Sequence, residues 1–152
     1  MAQFASIYKG HPWYGDSICH LLNRVTPAIA FRQSAKETHS IAQIVFHIIY
    51  WRQSLIKRLE GDLAYQPTVK SENNWKSNHQ LKKYGWRKIQ QNLHESQTQL
   101  LSLLARQKDA FLKTRYSNKV TFEELINGIL QHDLYHTGQI AYLISIHSKK
   151  KI

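Results

Sequence analysis

Apolar residues recur along most of this chain at steps of three and four, the spacing of helix faces, and no region is rich in strand-like alternation. The strongest run lies near the end. There Leu125, Ile129, His132, His136, Ile140 and Leu143 form one stripe of the kind that faces a core. Thr121 and Glu124 make a capping box ahead of it, so the fourth predicted helix runs from there to about Ile146. The second predicted helix spans about Thr38 to Leu59, striped by Ile41, Ile44, Val45, Ile48, Leu55 and Leu59 and stopped by Gly61. Ser34 with Glu37 fits a capping box for it, and Thr38 offers a later start. The third runs from about Asn78 to Phe111 on Trp86, Ile89, Leu93, Leu100, Leu104 and Phe111, with Gly85 marking a bend or a late start.

The first predicted helix is shorter, opening at Pro12 and carrying Trp13, Ile18, Leu21, Leu22 and Val25. Pro27 breaks it, and a short helical piece follows over Ala28 to Phe31. Residues 1–12 give little periodic signal. Residues 61–76, with Pro67 and the run Ser71-Glu72-Asn73-Asn74, read as the one substantial connection; residues 114–119 read as a short one. The expectation is an all-α fold, a four-helix bundle forming a single domain over residues 1–152, with a helix order that the long connection leaves open.

Composition narrows the function classes. A single cysteine, Cys19, excludes an internal disulfide and fits a reducing compartment, where it reads as a packed helix residue rather than a nucleophile. No apolar stretch is long enough for a membrane span, and the N-terminus lacks a leader pattern, so the expected location is cytoplasmic. The net charge of +11 can attract nucleic acid or acidic small molecules. No zinc finger, basic zipper or helix-turn-helix accompanies it, so specific nucleic-acid binding is not expected. Part of the charge is a terminal run, Lys149-Lys150-Lys151.

The candidate chemistry lies in the histidines. His132 and His136 are four residues apart, so both leave one helix face, within the core stripe. His47 falls in the inward arc of the second helix and supplies a candidate third imidazole. Three imidazoles leave coordination positions open for water or substrate, as catalytic sites do. Zinc and nickel accept such a set, iron also suits it, and the missing carboxylate disfavours magnesium or calcium. The competing reading is a group of buried neutral histidines bonded to Tyr135, Gln131 or backbone carbonyls. Asp133 points away from the pair, and either orients an imidazole of a neighbouring helix or forms a salt bridge. Gln139 and Tyr135 can reach the rim, Gly138 offers close helix approach or room, and Trp13 and Tyr14 can line a pocket mouth or pack a core. His39 reads as exposed or half-exposed and His94 as surface, and neither His79 nor His94 sits in a tight ligand-like spacing. No residue is assigned a catalytic role.

Three blocks together resemble the DinB/YfiT family of metal-dependent proteins, over nearly the whole chain. They are Pro12-Trp13-Tyr14-Gly15, the stretch His39-Ser40-Ile41-Ala42-Gln43-Ile44-Val45-Phe46-His47-Ile48-Ile49-Tyr50-Trp51-Arg52, and Gly128-Ile129-Leu130-Gln131-His132-Asp133-Leu134-Tyr135-His136-Thr137-Gly138-Gln139-Ile140. The resemblance implies an up-down-down-up bundle with the long crossover between helices two and three. It implies one divalent metal, often nickel or zinc, on the residues matching His47, His132 and His136. Homodimers are common in the family, and some members are thiol-dependent transferases or isomerases that use bacillithiol or mycothiol. Many have no demonstrated activity. The functional expectation is therefore a metal-dependent thiol transferase or hydrolase, with a low-molecular-weight thiol as its small-molecule partner and Arg52 or Arg87 at the mouth or in ion pairs. The alternative is a noncatalytic metal-binding or stress-related protein.

Overall fold

The computed structural model describes residues 1–35 and 38–148. Glu37 of the expected Ser34 capping box and the Lys149–Lys151 tail lie outside the described residues. The described residues are all-α, with a lone antiparallel bridge between Arg115 and Thr121 and no strand. The helices are α1 (Ala2–Lys9), α2 (Ile18–Asn23), α3 (Pro27–Ala30), α4 (Ile41–Leu59), α5 (Asn78–Tyr84), α6 (Trp86–Ala105), α7 (Asp109–Leu112) and α8 (Phe122–Ser148).

Local chemistry sets the boundaries. Ser40 opens α4 with a complete capping box: its hydroxyl accepts the Gln43 amide while the Gln43 side chain accepts the Ser40 amide. This replaces both starts expected from sequence. The hydroxyl of Thr38 instead serves its own turn, accepting from the Ala35 amide and donating to the Ala35 carbonyl. Thr121 and Glu124 cap α8 as expected. The expected third helix is divided. Gly85 takes φ +78 between α5 and α6, a conformation that favours glycine, and α6 ends at Ala105.

The beginning of the chain departs most from expectation. Residues 2–9 are helical and bury Phe4, Ile7 and Tyr8, although they show scarcely two turns of pattern. The expected helix from Pro12 does not form; Trp13 is fully exposed, and helix begins only after Ser17. Trp13 and Tyr14 border a surface depression between α1 and α8, so they mark a pocket edge rather than a core.

The helix α4 packs against both α6 and α8, and α1 also touches both, with α2 against α1 and α8. A short, composite wall thus stands where a long first helix would. Two apolar clusters fill the interior. One includes Ile18, Ile41, Ile48, Ile89 and Ile140; the other includes Phe4, Leu55, Leu100, Phe122 and Ile129. On α4, α6 and α8 the positions separating them are polar: Arg52, Ser96 and Asp133, all buried. Arg52 Nε donates to Asp133 Oδ2 at 2.8 Å and its Nη1 donates to Ser96 Oγ at 3.4 Å. Among the described residues no helix is long and apolar enough to cross a membrane.

Candidate metal centre

The centre sits where α4 faces α8, beside this polar layer. His47 comes from α4; His132 and His136, one turn apart, come from α8. Their Nε2 atoms converge: His132 lies 3.0 Å from His47 and 3.1 Å from His136. All three fall within 4.8 Å of one another, so the trio expected from sequence is brought together. His47 and His136 are buried and His132 is half-buried.

The outer ring nitrogens fix the electronic state of this cluster. His47 Nδ1 lies 3.2 Å from the Asn74 carbonyl, which can only accept, so the proton resides on Nδ1 and the Nε2 lone pair points inward. His136 Nδ1 is held in the same way by Gln139 Oε1 at 2.7 Å. His132 Nε2, between two inward lone pairs, can donate to only one of them. At least one close N···N pair is therefore left without a hydrogen bond, with an inward lone pair unsatisfied, and His132 Nδ1 is buried without a partner. Protonation does not relieve the conflict near neutral pH. Burial first, then the neighbouring charges of His136 and His47, push His132 down to about 3. Burial pushes His47 down to about 4, against the opposing Asn74 bond, and burial also lowers His136. A cation amid the three Nε2 atoms satisfies every inward lone pair at once. The donor set fits a divalent transition metal.

The connection between α4 and α5 supports the site in a way the sequence did not disclose. Three residues on one face of α4 hold its backbone: Gln43 Nε2 donates to the Lys76 carbonyl, His47 to that of Asn74, and Tyr50 bonds both the carbonyl and the amide of Thr68. Trp75 lies face to face between His39, at 3.7 Å, and His47, at 3.8 Å. Neither Asn74 nor Trp75 belongs to a periodic stripe, and a backbone carbonyl has no sequence signature.

The other candidates separate clearly. Asp133 bonds Arg52 rather than an imidazole; both are 0% exposed, and burial pushes the carboxyl up while the guanidinium opposes it. Arg52 is thus ion-paired in the interior and does not stand at a mouth. Arg87 is exposed beside Trp86 and Pro27, away from the histidines. Gln139 reaches the site, and the exposed Tyr135 ring meets His136 edge-on at 5.0 Å. Gly138 is exposed, and a Cβ there would meet nothing, so close helix approach is not its role. Cys19 is half-buried against the first apolar cluster. His79 is exposed, and His94, also exposed, bonds the Tyr8 hydroxyl at 3.2 Å.

A cleft of about 570 Å³ opens from His132 along the α4–α8 groove. Its walls include Trp51 and Ser54 from α4, Leu125, Gly128 and Ile129 from α8, and Pro67, Tyr116 and Val120 from connecting segments. Its size and largely apolar lining suit a small organic molecule. The family model for the DinB superfamily matches residues 16–140. No curated protein and no solved structure matches the chain.

Proposed function

Because the chain belongs to the DinB superfamily, we propose that it is a metal-dependent enzyme whose centre is one divalent ion held by His47, His132 and His136. The observation that carries this reading is the convergence of three Nε2 atoms whose lone pairs cannot all be satisfied by one another. Nickel or zinc is the proposed ion, with iron the third choice. The reading includes one domain over residues 1–152, the up-down-down-up helix order, a homodimer and a cytoplasmic location.

A bound ion of this kind lowers the pKa of a coordinated water or thiol and so supplies a nucleophile near neutral pH. The chain provides the surroundings. The Asn74 carbonyl and Gln139 keep protons on the outer nitrogens of His47 and His136, leaving their inner nitrogens free to coordinate. Trp51, Leu125 and Ile129 give the neighbouring cleft a dry wall. Among the described residues Glu124 is the one carboxylate lining that cleft, and it is committed to capping α8: two hydrogen bonds from Thr121 hold it below the usual range. With no free carboxylate base at hand, transfer to or from a low-molecular-weight thiol is favoured over hydrolysis. The same lack of a base supports the second reading, a metal-binding protein without turnover.

Metal analysis of chain purified without an affinity tag or added metal tests the centre. About one nickel, zinc or iron per chain is expected, with near-complete loss in His132→Ala. Stoichiometric metal retained in that variant would refute the ligand assignment. Metal without turnover across a panel of thiol-transfer reactions would favour the second reading.

A further inference from the structure

Arg58 is the feature of the cleft that the metal chemistry does not use. It lies eleven residues after His47, three turns on, hence on the same face of α4. It is 8% exposed and lines the cleft that begins at His132. Its Nη1 donates to the carbonyl and hydroxyl of Ser54, and its guanidinium lies 4.6 Å over the Tyr116 ring. Its Nε has no partner, and no carboxylate pairs with it among the described residues. Glu124, the acid in the same cleft, is taken by Thr121. A buried guanidinium without an anion is costly, and the chain retains this one beside an open cavity.

We infer that Arg58 is the anion anchor of the cleft, and that the ligand is an elongated small molecule carrying a carboxylate at the end remote from the histidines. Among the described residues a single guanidinium is the only permanent cation in the lining, which matches one monoanionic carboxylate better than a doubly charged phosphoryl group. The three turns from His47 amount to about 16 Å of rise, and the guanidinium folds back one turn onto Ser54, which leaves about 11 Å for the ligand to span. Aromatic and aliphatic walls accept an apolar middle. Arg58 is thus a specificity residue: it selects the ligand by charge and fixes how far the reacting end reaches. This inference rests on the cleft being the substrate site of the proposed metal centre.

Calorimetric titration of the full chain tests the two ends separately. In metal-free protein, octanoate is expected to bind about tenfold more tightly than octanamide, since the ion pair with a buried guanidinium is lost in the amide, whose carbonyl accepts only as a neutral group. Arg58→Met, which keeps the apolar stem, should abolish that difference, and Arg58→Lys should retain part of it. In zinc-loaded protein, 8-mercaptooctanoate should gain further over octanoate, and that gain should vanish in His132→Ala. Equal binding of acid and amide by the unaltered chain would overturn the anchor whether or not the variants fold. So would an undiminished preference in a folded Arg58→Met chain. Tighter binding of octylphosphonate than of octanoate would replace the carboxylate with a phosphoryl group. Loss of the thiol gain alone would count against the metal reading and leave the anchor standing.

Discussion

At the scale of single residues, the histidines link protonation to stability. In the metal-free chain His47 and His132 stay neutral down to about 4 and about 3, against 6.5 for the free side chain. The unfolded chain takes up protons as pH falls below 6.5, while the folded chain refuses them. Their destabilising effect is therefore absent above that value and grows as pH falls towards 4. Urea unfolding with a chelator present should show lower stability at about pH 5 than at about pH 7.5, and His132→Ala should reduce the difference. The Arg52–Asp133 pair follows a different rule. Asp133→Ala leaves a fully buried guanidinium unpaired and should cost about 3–5 kcal/mol in chemical denaturation. Replacing both partners together, as Arg52→Met with Asp133→Leu, should cost less than the single change, because neither charge then remains buried.

At the scale of elements, caps and breaks carry most of the specification. Ser40→Ala removes the hydroxyl that accepts the Gln43 amide and should cost about 1 kcal/mol, measurable as a shift in urea midpoint. Gly85→Ala should cost about 1–3 kcal/mol, because the backbone there has φ +78 and ψ 146. No neighbouring atom would meet the new Cβ, so backbone strain alone sets the penalty. The same elements show what was readable beforehand. The core of α4 and all of α8 were legible because their stripes run through several turns, and His47, His132 and His136 sit on those stripes. The first helix was not. Phe4, Ile7 and Tyr8 make one short repeat, whereas Trp13, Ile18 and Leu21 offer a longer one with Pro12 at its opening. The chain follows burial of α1 instead and leaves Trp13 in water. Arg58 had a readable signal, its three-turn register with His47, but an arginine near a helix end ordinarily reads as a dipole partner.

At the scale of the whole molecule, α1 is a wall of the bundle rather than an appendage. It buries Phe4, Ile7 and Tyr8 and touches both α6 and α8. Removing residues 2–9 exposes both apolar clusters, since Phe4 belongs to one and Ile7 and Tyr8 to the other. The apolar burial lost, at about 1.5–3 kcal/mol per large side chain, approaches the entire stability of an ordinary domain. A chain lacking those residues should show no cooperative thermal transition by circular dichroism, although it retains every histidine of the centre.

The segment joining α4 to α5 has a consequence outside the bundle. Its inner end is tied to the same imidazole that faces the other two, through the Asn74 carbonyl and the face of Trp75. Turning the His47 ring undoes the bond and the stack together, whereas holding its inner nitrogen preserves both. The surface of the protein thereby reports on a group buried beneath it. A protease added to the intact chain should cut between residues 61 and 73 more slowly once zinc is present, and His47→Ala should erase the difference.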